Sequence, residues 1–192
     1  INLKNGEENA VEKLISNNIE DSYLKNYTPQ VEKRQKSRKA YTLKGKNLPK
    51  YEIDVTHFIM NVDSIKNLAK RYQSTITEYL TAVLAYAIYR GNCNCSSVKR
   101  PVKICIPVDL KKFFKSTTSS NFFSYISVEI PLNEDNIKFE DILVQVKNEF
   151  NAKLQKSEIE RTMGANIKIG NNLLVRLVPL LLKKVTVNLS YI

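Results

Sequence analysis

The chain has 192 residues, 43% of them hydrophobic and 26% charged, the composition of an ordinary globular protein rather than a disordered or fibrous one. That length is enough to bury a real core. The net charge of +11 admits nucleic acid, acidic membranes or phosphorylated ligands as partners, whereas no apolar run reaches the ~18 residues that a membrane span needs.

Ala10, Val11, Leu14 and Ile15 recur at helical spacing, predicting a short amphipathic helix within residues 1–19. The pattern then dissolves into a polar, basic connection running to Pro49. Between Lys33 and Lys50 lie eight Lys or Arg residues and no acid, with one aromatic, Tyr41. A charge run without apolar periodicity reads as a solvated linker, and a single ring makes a poor stacking platform for single strands. Nucleic acid is therefore not the expected partner.

Tyr51, Ile53 and Val55 alternate with Glu52, Asp54 and Thr56, predicting a strand over Tyr51–Met60 with His57 on its apolar face. Asn61 is placed to cap a helix whose inner face is Val62, Ile65, Leu68, Ala69 and Tyr72. Thr75-Ile76-Thr77-Glu78 is a capping box. The helix it opens carries Ile76, Tyr79, Leu80, Val83, Leu84, Ala87 and Ile88 on one stripe, with Gly91 as a left-handed stop. This is expected to be the central core helix.

The stretch from Pro101 to Pro131 holds two apolar runs. Val102, Ile104 and Ile106 predict a strand that stops at Pro107. Phe122–Ile130 predicts a second, ending at Pro131. A Ser/Thr loop, Ser116–Ser120, lies between them, where enzymes often present chemistry on a rigid support. Two core strands with an ordinary connection fit the same pattern. Beyond a turn at Asn133–Asn136, Phe139, Ile142, Leu143, Val146, Phe150 and Leu154 mark a long amphipathic helix. A short helix is expected over Met163–Ile169, punctuated by Gly164 and Gly170. A last helix runs from Asn171 or Asn172 to about Lys184, apolar nearly all round and kinked at Pro179. Val185–Ile192 reads as a closing strand. Since the chain opens on Ile1 and ends on that strand, it reads as a piece of a longer polypeptide.

This order of elements predicts an α/β (α+β) two-layer sandwich, one mixed sheet of about four strands with helices mainly on one face. Residues 1–50 are expected to form the short helix and basic linker, and 51–192 the folded domain. Cys93, Cys95 and Cys105 form no disulfide framework, which points to a reducing, cytoplasmic compartment. Cys93-Asn94-Cys95 lacks the second pair that zinc requires, so no metal is expected. Phosphate-binding glycine loops are absent from the sequence.

Pro107-Val108-Asp109-Leu110-Lys111-Lys112-Phe113-Phe114, followed by Asn121-Phe122-Phe123-Ser124-Tyr125, resembles a "PVNLRRFF…NFFGY" pattern. That pattern belongs to the second half of acyltransferases of the chloramphenicol-acetyltransferase-like superfamily, in its alcohol-acetyltransferase and condensation-domain branch. Asp21-Ser22-Tyr23-Leu24, Lys39-Ala40-Tyr41…Gly45-Lys46 and Thr75-Ile76-Thr77-Glu78-Tyr79-Leu80 add to the likeness, which runs from about residue 20 to the C-terminus. Lys111 stands where the pattern has Arg, Ser124 where it has Gly, and Ser119-Ser120 where a larger pair sits.

The resemblance implies half of such a fold, with residues 51–192 as the C-terminal half domain. The parent would move an acyl group from acyl-CoA to a small-molecule alcohol-type acceptor; a carrier-bound donor fits the same residues. No cofactor would be bound, acyl-CoA being a co-substrate. The family's HHxxxDG base motif is not found here: the one histidine reads His57-Phe58-Ile59-Met60-Asn61-Val62, without a second His, the Asp or the Gly. No catalytic residue is therefore expected in this chain. Asn121, Phe123, Ser124 and Tyr125 are implied to border the substrate channel, and Asn121 or Ser124 to donate to substrate or oxyanion. A turn or strand residue satisfied locally accounts for each of them as well, without a functional role. The expected partners are a missing N-terminal half or a second copy, the last helix contributing an apolar face. A non-catalytic module, either a degenerate acyltransferase scaffold or a basic nucleic-acid binder, is the alternative.

Overall fold

The computed structural model describes residues 21–27, 38–43, 48–92, 100–131, 136–170 and 187–188. Among them are five α-helices: α1 (Ser22–Lys25), α2 (Val62–Arg71), α3 (Ile76–Asn92), α4 (Phe139–Lys153) and α5 (Lys156–Gly170). The strands are β1 (Val102–Asp109), β2 (Phe123–Ile130) and β3 (Val187–Asn188), with a 3-10 turn over Leu110–Lys112. The protein is mixed α/β. The expected helix within 1–19, the Cys93 and Cys95 pair and the helix approaching Lys184 lie outside the described residues.

The strands form one sheet in the order β2-β1-β3. The Leu110 N–H donates to Phe122 O at 3.0 Å, while Lys103 reaches Glu129. Later residues of one strand thus meet earlier residues of the other, so β1 and β2 run antiparallel. On the other side β1 pairs in parallel with β3, Ile104 opposite Val187 and Cys105 opposite Asn188. Pro107 does not end β1 as expected; the strand continues to Asp109. Because Leu110 turns its N–H toward β2, Pro107 at odd parity faces the other way, and its missing donor breaks no bond to β2.

By contacts the chain divides into two units. One comprises residues 1–36, 107–126 and 153–182; the other comprises 37–106, 127–152 and 183–192.

In the second unit the helices start where local chemistry says they should. Asn61 Oδ1 accepts from the Ser64 N–H at 3.0 Å, opening α2. At its far end Gln73 takes φ 50 and the Ser74 N–H returns to Ala69 O at 2.9 Å, a left-handed stop. The capping box is formed: the Thr75 N–H donates to Glu78 Oε2 at 2.7 Å and the Glu78 N–H to Thr75 Oγ1 at 3.2 Å. α2 packs on α3, and Tyr72, Tyr79 and Tyr86 gather around the Phe139 ring at the start of α4.

Two expectations for α3 are corrected. Gly91 does not stop it; the helix runs to Asn92 and no glycine takes positive φ among the described residues. Its buried stripe is Thr81, Ala82, Ala85, Ile88 and Tyr89, whereas Val83 and Ala87 are exposed. A helix apolar on nearly every side does not announce its inner face, and the small Ala82 and Ala85 let neighbours approach most closely. Ile104, Val128, Ile130, Ile142 and Val146 complete this core, each buried aliphatic contributing about 1.5–3 kcal/mol before entropy.

The expected strand Tyr51–Met60 is not one. Every residue in it is exposed and without regular structure, and His57 is exposed rather than packed on an apolar face. The sheet accordingly has three strands among the described residues. Alternation makes a strand only where an edge accepts it, and β2 offers none at either end of its outer side. The Phe123 N–H and C=O are both taken by the Tyr23 hydroxyl, and the Glu129 N–H donates to Glu149 Oε2 at 3.0 Å.

Of the basic connection, residues 38–43 and 48–50 are described, and they are not all solvated. Arg38 and Lys39 are exposed, but Ala40 is buried and the Tyr41 N–H donates to Pro101 O at 2.8 Å. In the first unit the short helix expected over Met163–Ile169 is the second half of the longer α5, with Gly164 buried inside it. Among the described residues no helix is long and apolar enough to cross a membrane.

Candidate functional site

The first unit builds a small hollow that shares Phe122 with the unit's buried apolar cluster. Leu110, Phe114, Phe122, Ile159 and Met163 form that cluster, with Tyr23, Phe113 and Leu154 packed against it. Tyr23 meets Phe122 edge to face, centroids 4.9 Å apart. Asp109 fixes the turn after β1 by accepting the Lys111 N–H at 3.0 Å. The Phe113 and Phe114 amides then both return to Leu110 O.

From there the Ser/Thr loop holds itself by hydroxyls. The Thr118 N–H donates to Ser116 Oγ and the Ser120 N–H to Thr118 Oγ1, each at 3.2 Å. These are local side-chain-to-backbone turns. Ser116 Oγ also lies 2.7 Å from Ser22 Oγ, tying the loop to α1, and Asn26 Nδ2 donates to Lys115 O at 3.4 Å.

α1 is set by Asp21, whose Oδ1 accepts from the Tyr23 and Leu24 amides at 3.0 and 3.1 Å. The Tyr23 hydroxyl then reaches across to β2, donating to Phe123 O at 2.8 Å and accepting the Phe123 N–H at 3.1 Å. Asp21, Ser22, Tyr23, Thr118, Ser120, Asn121 and Phe122 line the resulting hollow of about 200 Å³.

The four residues implied to border a channel are not brought together. Asn121 precedes β2 and lines the hollow. Phe123 and Tyr125 are exposed on one face of β2. Ser124, at the opposite parity, is buried, and its Oγ has no hydrogen-bond partner among the described residues. It is thus turned into the fold, where it does not share a surface with Asn121. Asp21, Ser22, Tyr23, Thr118 and Ser120 were absent from the expected site. The Asp21-Ser22-Tyr23-Leu24 likeness carried a signal for the first three and the Ser116–Ser120 loop for the other two, but neither gave a place for the hydroxyls.

Chemically, the hollow is lined by side chains bearing hydroxyls and an amide, although the Tyr23 proton is given to Phe123 O, the Ser22 hydroxyl is bonded to Ser116 of the loop and the Thr118 hydroxyl to the Ser120 N–H. As for a general base, Asp21 already accepts two amides on one carboxylate oxygen, and His57 is not among the residues that line the hollow. In that other unit Lys103, almost wholly buried, is held by Glu129 at 2.8 Å. The half-buried Cys105 follows it on β1, its thiol pKa pushed above the ordinary thiol value by burial. Among the described residues no three His, Cys, Asp or Glu side chains are grouped to hold a metal ion.

No family model, curated protein or solved structure matches the chain.

Proposed function

We propose that this chain is the C-terminal half of an O-acyltransferase-like protein of the chloramphenicol-acetyltransferase-like superfamily, its parent transferring an acyl group from acyl-CoA to an alcohol. One observation carries the reading. Two of the stretches that bear the resemblance, Asp21–Leu24 and Asn121–Tyr125, are a hundred residues apart yet meet through Tyr23 on the Phe123 backbone. They enclose one hydroxyl-lined hollow. A chance match of short motifs gives no reason for them to converge.

In the proposed reaction the acceptor hydroxyl loses its proton to a base and attacks the thioester carbonyl. The C–S bond then breaks and CoA leaves as the thiol. This half would supply donors and walls, and a complementary half bearing HHxxxDG would supply the base. A general base contributes ~10²–10⁴-fold, so the chain alone is expected to show no turnover.

The test is an assay with acetyl-CoA and a panel of alcohols, following free thiol. The arms are the chain alone, its His57→Ala variant, and the chain joined to an upstream segment carrying the base motif. Turnover only in the joined form supports the proposal. Activity in the chain alone that His57→Ala abolishes would mean that the base lies here, and silence in every arm would defeat the acyltransferase reading.

A further inference from the structure

The longest uncovered apolar stretch among the described residues is Tyr51–Met60. Tyr51, Ile53, Phe58 and Ile59 are 91, 87, 81 and 99% exposed. Among the described residues, no group on residues 53–60 is hydrogen-bonded. The stretch nevertheless has fixed ends. The Glu52 N–H returns to Pro49 O at 3.1 Å and Asn61 caps α2. It has the composition and alternation of a strand; Tyr51 itself stands in the turn at φ 74, so the extended part begins at Glu52.

Among the described residues, β1 lies between β2 and β3, and the outer side of β2 is a poor acceptor because it is plugged at Phe123 and Glu129. The stretch is, however, complementary to itself. Two copies related by a two-fold axis perpendicular to the ribbon pair antiparallel only with residues of equal parity opposite each other, because facing residues share a side. With the axis at Val55, Ile53 faces His57, Glu52 faces Phe58 and Asp54 faces Thr56. No like charges meet. Ile53, Val55 and Ile59 from both copies then share one apolar side with His57. Moving the axis to Asp54 would set that carboxylate against its own copy.

We infer that Glu52–Met60 is a dimerisation strand, pairing antiparallel with the same stretch of a second copy across a two-fold axis at Val55. This does not depend on the acyltransferase reading. A two-stranded ribbon is only marginally stable by itself, so the dimer forms in a concentration-dependent equilibrium rather than as an obligate assembly.

Sedimentation velocity over a wide dilution series tests it, with a cross-link to fix the register. In a background where Cys93, Cys95 and Cys105 are Ser, Val55→Cys places two thiols across the axis at ~4.5–5.5 Å between Cα atoms, within disulfide range. It should oxidise to a covalent dimer at least tenfold faster than Glu52→Cys, whose copies lie far apart in this register. Ile53→Lys should shift the equilibrium to monomer with an unchanged circular dichroism spectrum, the side chain being exposed in the single chain.

A chain that stays monomeric at every concentration overturns the inference. So does open-ended aggregation, a dimer indifferent to Ile53→Lys, or cross-linking at Glu52→Cys as fast as at Val55→Cys.

Discussion

Ser124 and Tyr23 act on β2 in opposite senses. The Ser124 hydroxyl is buried without a partner among the described residues, and an unpaired buried hydroxyl costs about 1–3 kcal/mol. Ser124→Ala is therefore expected to leave stability unchanged or raise it. Tyr23→Phe removes both hydrogen bonds to Phe123 while keeping the ring on Phe122, and should cost about 1–2 kcal/mol. Urea denaturation of the two variants against the parent chain checks this. A loss from Ser124→Ala matching that from Tyr23→Phe would show that Ser124 holds a partner. Sequence placed both residues in notable motifs, but their roles depend on strand parity and on a contact spanning a hundred residues. Neither is visible in a local pattern.

Among the elements, those with local causes were legible. The Asn61 cap, the Thr75–Glu78 box and the strands on either side of the Ser/Thr loop depend on neighbours within a few residues, and all are present. What pattern did not settle was orientation and pairing: the inner face of α3, and the strand expected at Tyr51–Met60. Nor did it explain Lys103, a buried cation inside an apolar run, because its partner Glu129 sits on the opposite strand. That pair offers its own test. Glu129→Gln should cost about 3 kcal/mol, the low end for a broken buried pair since Glu129 keeps some solvent contact. Replacing both residues by Met and Leu should recover most of the loss. A double variant as unstable as the single would mean that packing rather than charge sets the cost.

For the whole molecule the +11 charge is the feature most open to a competing function. Among the described residues Arg38 and Lys39 are exposed in the second unit, and Lys111, Lys112 and Lys115 in the first. Anisotropy titrations with duplex and single-stranded oligonucleotides are expected to give weak binding that falls steeply as salt rises. Sequence-selective, submicromolar binding at physiological salt would favour a nucleic-acid function. The mixed α/β class was readable from the order of elements, whereas the division into two units was not. Both units are assembled from segments that return after long excursions, and periodicity has no term for return.

The plugged edge of β2 bears on how the chain is made. Its two stoppers stand on either side of the strand in sequence, Tyr23 well before Phe123 and Glu149 after Glu129. During synthesis from the N-terminus, the hydroxyl that closes the first half of the edge already exists when β2 emerges. The carboxylate that closes the second half does not. A nascent chain thus carries a half-open strand until α4 has left the ribosome, and that interval is when unwanted strand pairing is most available to it.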